Sequence, residues 1–434
     1  MYAERMASTA RLSAPRAMGT ADASVAVPFG RSGGQSLAVP AVSAITRWAF
    51  YLYVAWIPLE YPDRTLRFDL GTLMGAVFLA TTVLSFRACY RRLSAPLVLY
   101  LVFLYFWVAS WVANGAGYQI LVRDSFLRLL LLILVLWTST NLLKDPRVFR
   151  NALLIVLGTC SMLALLQVSG VADMYGSGEG VSRATVLGQN PNRTGRFLAG
   201  AALAAVGLAL ATPRPRLTTR AVYGVSVALL CAAMLQGGSR GAMLALLVSL
   251  LPFALIAPSF GARVRNAVVA MLVMVGLAWG ALQSPLMQRR IALAESGNLA
   301  KREVIFPAAT GMITERPWLG WGPVSAYYEL GSRISRGDRD RRDTHNIVLE
   351  LFTTTGALGG VPALLAIGLC FIAAWRSRYG IWGALPLAFM VQMLVANMSG
   401  NNLTFKLYFL FQAFAIASMS MPLAVKTPRI RRSV

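Results

Sequence analysis

Acidic side chains are scarce in this chain: 17 Asp and Glu stand against 41 Lys and Arg, and charged residues of either sign make up only 13% of 434. So little polar surface cannot cover a soluble core of that size, which excludes an ordinary soluble domain. Cysteine is scarce too. The four, Cys89, Cys160, Cys231 and Cys370, have no paired spacing and suggest neither a disulfide framework nor a metal site. The acids Glu295, Glu303, Glu315, Glu329 and Asp338 show no paired spacing on an apolar face, and each has a basic residue near it in sequence. Their expected role is in ion pairs, and metal-dependent chemistry is disfavoured. The glycine-rich Gly176-Ser-Gly178-Glu-Gly180 lacks the flanking strand and lysine of a phosphate-binding loop and reads as a flexible loop. Histidine is the rarest of all. His345 stands alone, the one side chain of the type that exchanges protons near neutral pH.

What the chain has in abundance is apolar sequence: 57% hydrophobic residues and a mean hydropathy of +0.60. Runs of about 20 apolar residues, enough to cross roughly 30 Å of hydrocarbon as a helix, recur along it. The expected fold is an all-α polytopic membrane protein of about twelve transmembrane helices with one long extracytoplasmic helical loop. The first nine spans fall at 42–59, 70–89, 94–113, 125–143, 149–168, 195–212, 219–236, 241–258 and 264–283. Three more follow at 346–374, 380–397 and 403–423. The resulting organisation is a disordered cytoplasmic arm at 1–40, helices one to nine within 41–283, the long loop at 284–345, helices ten to twelve within 346–423 and a basic tail at 424–434. The arm is rich in Ala, Ser, Gly and Pro and has no apolar h-region, so no cleaved signal peptide is expected.

The formal net charge of +24 is distributed with a side preference. Arg87, Arg91 and Arg92; Lys144, Arg147 and Arg150; Arg214, Arg216 and Arg220; Arg263 and Arg265; Arg376 and Arg378; and the tail all fall on one side of a twelve-span chain. Short basic loops mark the cytoplasm, so both termini are expected there. The charge reads as a topology signal and a match to anionic membrane lipids, not as a nucleic-acid surface.

On the other side lie the tight Gly237-Gly238-Ser239-Arg240-Gly241 connection and the loop from 284 to 345, which is too long for a bare tether and should form a small helical cap. Within it, Asn298 to Trp318 spells an amphipathic helix with Arg302, Glu303 and Arg316 on its polar parts, and Arg333 to Asp343 reads as a mobile, solvated lid. Arg128, Arg196, Arg240, His345, Glu350 and Lys406 all enter their spans near the extracytoplasmic end. Charges at membrane depth cost about 2.5 to 3.5 kcal/mol each and usually serve function, so the six are expected to outline one cavity. Snorkelling to the interface is the alternative for Arg128 and Lys406.

Several motifs resemble those of O-antigen ligases and the related Wzy-type polysaccharide polymerases. Gly-Gly-Ser239-Arg240-Gly-Ala opening an apolar helix resembles the start of that family's shared region. Arg302 followed by Glu315-Arg316-Pro317-Trp318-Leu-Gly320-Trp-Gly322 resembles its arginine and Pro-x-x-Gly-x-Gly turn. His345-Asn346, nine residues and then Gly356-Ala-Leu-Gly359 matches its histidine signature, and Gly188-Gln-Asn190-Pro191-Asn192 is similar to its Asn-Pro-Asn loop. The resemblance covers roughly residues 185 to 374.

The resemblance implies an enzyme of the bacterial inner membrane, its active site facing the periplasm. Such an enzyme moves a glycan from undecaprenyl diphosphate to an acceptor hydroxyl, either on lipid A-core or on another glycan, with no cofactor and no metal. Developing charge on a diphosphate leaving group suits arginine, which stays charged and binds phosphate oxygens through a planar fork. Arg240 and Arg302 are the expected catalytic arginines, with Arg193, Arg196, Asn346 and Arg316 as further substrate-binding residues. His345 would accept the proton of the attacking hydroxyl, with inversion at the anomeric carbon, and Asn346 or Glu350 could orient its ring. The closeness of the histidine signature favours a ligase over a polymerase. A lipid-linked oligosaccharide transporter is the competing class, and it predicts midplane polar groups, broken helices and an internal repeat, none of which the sequence displays.

Overall fold

A computed structural model describes residues 42–59, 70–171, 173–176, 182–212, 216–257, 259–295, 301–334, 341–400 and 403–421. The expected arm at 1–40, the basic tail at 424–434 and the middle of the expected lid, 335–340, lie outside these residues. The chain is helical nearly throughout. It opens with α1 (Ala44–Trp56), continued by a short 3-10 turn, then α2 (Leu70–Thr81) and the short α3 (Phe86–Cys89) in one stretch. Next come α4 (Ala95–Ala113), α5 (Gln119–Leu142) and α6 (Pro146–Val168). A hairpin, β1 (Asp173–Gly176) and β2 (Ser182–Thr185), precedes α7 (Pro191–Ala211), α8 (Leu217–Gly237), α9 (Arg240–Leu255) and α10 (Phe260–Gln283). The long connection contributes α11 (Pro285–Glu295), α12 (Arg302–Glu315) and α13 (Ser325–Ile334). The chain closes with α14 (Ile347–Arg376), α15 (Leu385–Asn397) and α16 (Lys406–Ser418).

All twelve expected segments coincide with helices. Seven stretches are long and apolar enough to cross a membrane, and α9, α15 and α16 are shorter apolar helices. The chain is thus a multi-pass helical membrane protein. Burial sorts the helices: 83% of the apolar stretch of α7 is buried inside the protein, against 22% for α8 and α10, which turn most of their surface outward. The composition of α7 explains its central place. Alanine and glycine dominate it, and a Cβ added at Gly200 or Gly207 would come within 2.7 Å of Phe411 or Leu385. Small residues let helices approach where the solvent offers no hydrophobic drive. The neighbouring α16 is buried along its whole length, Lys406 and Gln412 included.

Among the described residues of the long connection, three helices form, α11, α12 and α13. Its amphipathic helix is α12, which stops at Glu315 because the residue before Pro317 is driven out of the helical region. The glycine-rich loop expected at 176–180 lies outside the described residues except for Gly176, and the strands on either side of it pair as the antiparallel β1–β2. Its anchor is a long-range one that no local pattern announces. Buried Arg183 donates from Nε to the carbonyl of Gly237 and from Nη2 to Asn192 Oδ1, both at 2.9 Å, tying β2 to the end of α8 and the start of α7.

A second departure is a break in α14, which the sequence reading did not include. Gly356 has φ 60° and ψ −162°, outside the helical region. The turn 317–322 fills the gap. Trp321 and Gly322 donate their N–H groups to the carbonyls of Thr353 and Thr354 (2.8 and 3.0 Å), and Ala357 and Leu358 donate theirs to Pro317 and Trp318 (2.7 and 3.1 Å). Ser110 of α4 adds hydroxyl contacts to the carbonyls of Leu319 and Thr354. A Cβ at Gly320 would meet Gly356 N at 2.7 Å, and one at Gly356 would overlap the backbone of Trp318. The Pro-x-x-Gly-x-Gly turn and Gly356 are two halves of one joint.

Candidate functional site

The ends of α7, α12, α14, α15 and α16 converge on a cavity of about 310 Å³ lined by Arg193, Arg196, Arg302, Asp343 and His345, with Asn190, Asn192, Ser399, Gly400, Thr404 and Phe405. Asn190-Pro191 starts α7 in a way the residue types dictate: the Asn190 side chain accepts the Asn192 N–H at 2.9 Å, and proline occupies the first helical position. Arg193 and Arg196, three apart, then share a face within the first two turns. The dipole of α7 adds positive potential to theirs at this end. Arg196 is almost fully buried, its guanidinium lies against Gly400, and its carbonyl accepts from Gln392 Nε2 at 2.9 Å. Arg193 stands 5.2 Å from the centre of the Phe405 ring.

Arg302 opens α12 and donates to the carbonyl of Ser399 at 3.1 Å. The same turn receives Gly241, whose missing side chain admits the Ser399 hydroxyl: a Cβ there would sit 2.6 Å from it. Gly238, with φ 59°, ends α8, and Ser239 caps α9 by accepting from Ala242 N at 3.4 Å. The turn Ser399-Gly400 is therefore the point where three arginine-bearing segments meet.

His345 has φ 50°, a conformation that non-glycine residues rarely hold and that marks a site where the surroundings enforce it. Its Nδ1 lies 2.6 Å from Asp343 Oδ1, and its backbone N–H donates to the same oxygen at 3.1 Å. Burial alone would raise the Asp343 carboxyl; the two bonds from His345 and the nearby charge of Arg341 outweigh it and hold the acid below the ordinary carboxylate range. A carboxylate on Nδ1 fixes the tautomer and leaves Nε2 as the proton acceptor. The ring-orienting residue is thus Asp343, and neither Asn346 nor Glu350 takes that place. Asn346 caps α14, accepting from Val348 N and Leu349 N at 2.9 and 3.3 Å. Glu350 is buried between α13 and α14, where it meets Thr344 and Tyr327.

The six charged residues expected around one cavity divide. Arg196 and His345 share it with Arg193 and Arg302. Arg128 and buried Lys406 line a smaller adjoining space of about 60 Å³, which shares Arg193 and Thr404 with the first. The guanidinium of Arg240 donates to the carbonyl of Arg290 in α11, and Glu350 is enclosed by protein. Arg316 lines a separate groove, where it bonds Asn114. Asp343, Ser399 and Gly400 escaped the sequence reading. The Asp-Thr-His spacing was a usable signal for the first; nothing local distinguishes the other two. Among the described residues, no three His, Cys, Asp or Glu side chains gather to hold a metal.

The multi-pass helical bundle thus presents a cationic cavity with one carboxylate-held histidine, whose charge suits an anionic ligand. Residues 224–364, from within α8 to the first half of α14, match the family model for O-antigen ligase. The match covers less than half of the chain; over it the sequence is similar to O-antigen ligases, which supports a ligase or polymerase-type function. No curated protein matches the chain significantly.

Proposed function

We propose that the chain transfers a glycan from undecaprenyl diphosphate to a sugar hydroxyl of lipid A-core at the periplasmic face of the bacterial inner membrane, with inversion and without a metal. The observation that carries this reading is the meeting of the Asp343–His345 pair with Arg193, Arg196 and Arg302 in one cavity, three cations against one acid. Twelve spans with both termini in the cytoplasm accord with the alternation of basic loops.

The route for a lipid-linked donor supports it. An apolar groove of about 780 Å³ between α2 and α5 is lined by leucines and alanine, with Asp124 and Arg128 among its polar members. It shares Thr72, Arg128 and Leu131 with the small space that holds Lys406 and Arg193, and that space adjoins the cavity. A polyprenyl chain in the groove would bring its diphosphate along Arg128, Lys406 and Arg193 towards Arg196 and Arg302, where fixed charge is worth about 10² to 10³ in rate per group.

In the reaction, His345 Nε2 takes the proton of the acceptor hydroxyl as that oxygen bonds the anomeric carbon. The bond from that carbon to the diphosphate oxygen breaks, and the lipid diphosphate leaves with both electrons, held by the arginines. The histidine then returns its proton to solvent. Base assistance of this kind contributes about 10² to 10⁴. Arg240 ties α9 to α11 beside the cavity through the carbonyl of Arg290.

A deletion strain analysed for lipopolysaccharide tests the reading. Unmodified lipid A-core with accumulated carrier-linked polymer is the expected result. Lipid A-core bearing one repeat unit would make the enzyme a polymerase, and normal lipopolysaccharide with loss of a secreted polymer would make it an exopolysaccharide polymerase. A transporter would keep its activity in His345→Ala, whereas a transferase would lose it.

A further inference from the structure

On the other side of α13 from the His345 loop lies a groove of about 480 Å³ that the transfer chemistry leaves unused. Ser325, Tyr328, Glu329 and Ser332, spaced as one helix face, form one wall, and Asn114, Tyr118, Arg316 and Trp321 form the rest. Its character differs from that of the catalytic cavity. Glu329 is paired with Arg333 at 2.8 Å, Arg316 with Asn114, and three aromatic rings share the lining with these polar groups.

We propose that this groove binds a saccharide chain. Sugars present alternating hydroxyl edges and C–H faces, and a site for them needs planar hydrogen-bonding side chains set between flat rings. Asn114, Arg316 and Glu329 are the first kind, and Tyr118, Trp321 and Tyr328 the second. The parts are held rigidly. The Tyr118 and Tyr328 rings stack at 4.6 Å with 7° between their planes, and the Arg316 guanidinium covers Trp321 at 4.0 Å. The segment that presents Tyr118 is strained: Ala116 and Tyr118 have φ of 51° and 52°, and the Trp111 indole pins the turn through the carbonyl of Gly117 at 2.8 Å. Backbone held in this way concentrates at ligand sites.

Position adds to composition. Tyr327, one residue from Tyr328, turns the neighbouring helix face towards Glu350, and its carbonyl accepts the Arg342 N–H just ahead of Asp343. The groove and the loop of His345 therefore flank a single short helix, so a glycan seated on one side of α13 lies beside the reacting centre on the other. Which glycan it is, acceptor or donor, rests on the transfer reading; the binding of saccharide does not.

Two measurements on the full chain test this. The first replaces Ser332→p-benzoylphenylalanine in cells that make the polymer, with Ser169→p-benzoylphenylalanine as an exposed control. After irradiation, an adduct whose attached mass is labelled by periodate and hydrazide is expected from position 332 and not from 169. The second uses protein in nanodiscs with the organism's own lipid-linked glycan and lipid A-core. Tyr328→Ala should raise one KM about threefold to tenfold with kcat retained, and Tyr328→Phe should restore it. A change in the acceptor KM assigns the groove to the acceptor, and a change in the donor KM to the donor. Absence of a sugar adduct together with both KM values within twofold of wild type overturns the proposal. If wild-type protein transfers nothing, the transfer reading falls, and the adduct alone decides the groove.

Discussion

Asp343 and His345 form a pair in which one carboxylate oxygen takes both the ring Nδ1 and the backbone N–H of the histidine, at 2.6 and 3.1 Å. The acid thus sets the tautomer of the ring and the fold of the turn that carries it. Because His345 is the only histidine, a sample labelled with ¹⁵N-histidine reports this pair alone. The expected spectrum has one imidazole protonated at Nδ1. Asp343→Asn should shift it towards the other tautomer and lower kcat by about 10² or more, with substrate KM nearly unchanged. A labelled ring already in the Nε2-protonated form would remove the acid from the mechanism.

The same pair predicts a pH dependence with a definite sign. A carboxyl held below its ordinary value of about 3.9 adds stability at all pH above that value and loses it as pH falls through the folded value. The stabilisation of wild type over Asp343→Asn should still be present at about pH 5 and shrink below about 4. A difference that vanishes by pH 6 would contradict the assignment.

Arg302 reaches the Ser399 carbonyl while lining the cavity. Arg302→Ala should reduce turnover by about 10² to 10³ in an assay of glycan release from the carrier. Arg302→Lys should recover little, since an ammonium cannot hold a carbonyl and a phosphate in one planar fork. Full rescue by lysine would mean that only charge matters there.

Gly356→Ala should lower stability by about 1 to 3 kcal/mol, because its backbone conformation disfavours a side chain and the added carbon would overlap Trp318. Gly368, in the same helix with ordinary geometry and nothing within 4 Å of an added Cβ, supplies the control: Gly368→Ala should be neutral or slightly stabilising. Thermal unfolding in detergent separates the two.

Much of this molecule was legible before its fold was known. Hydropathy located the long apolar helices, because a span must be long, apolar and internally hydrogen-bonded wherever it sits, but not α11 or α13. The resemblance singled out Arg302 and His345, whereas α7 begins at Pro191, ahead of the expected 195. What stayed hidden depends on tertiary contact. Arg240 and Arg196 look alike in sequence, each opening an apolar helix, yet one faces the Arg290 carbonyl and the other the cavity. The break at Gly356 was hidden because its hydrogen-bond partners lie more than thirty residues away.

That break makes the turn 317–322 a working part of α14. Two N–H and two C=O groups of the helix take backbone partners from the turn, about 14 Å along α14 from Ile347, and of the four Thr354 C=O also receives the Ser110 hydroxyl. Opening the turn by proteolysis or by an inserted epitope would strand the other three groups, at a cost of several kcal/mol for each one left in hydrocarbon. An antibody tag placed there would therefore report misassembly of the membrane domain, although the tag itself lies in a connection between helices.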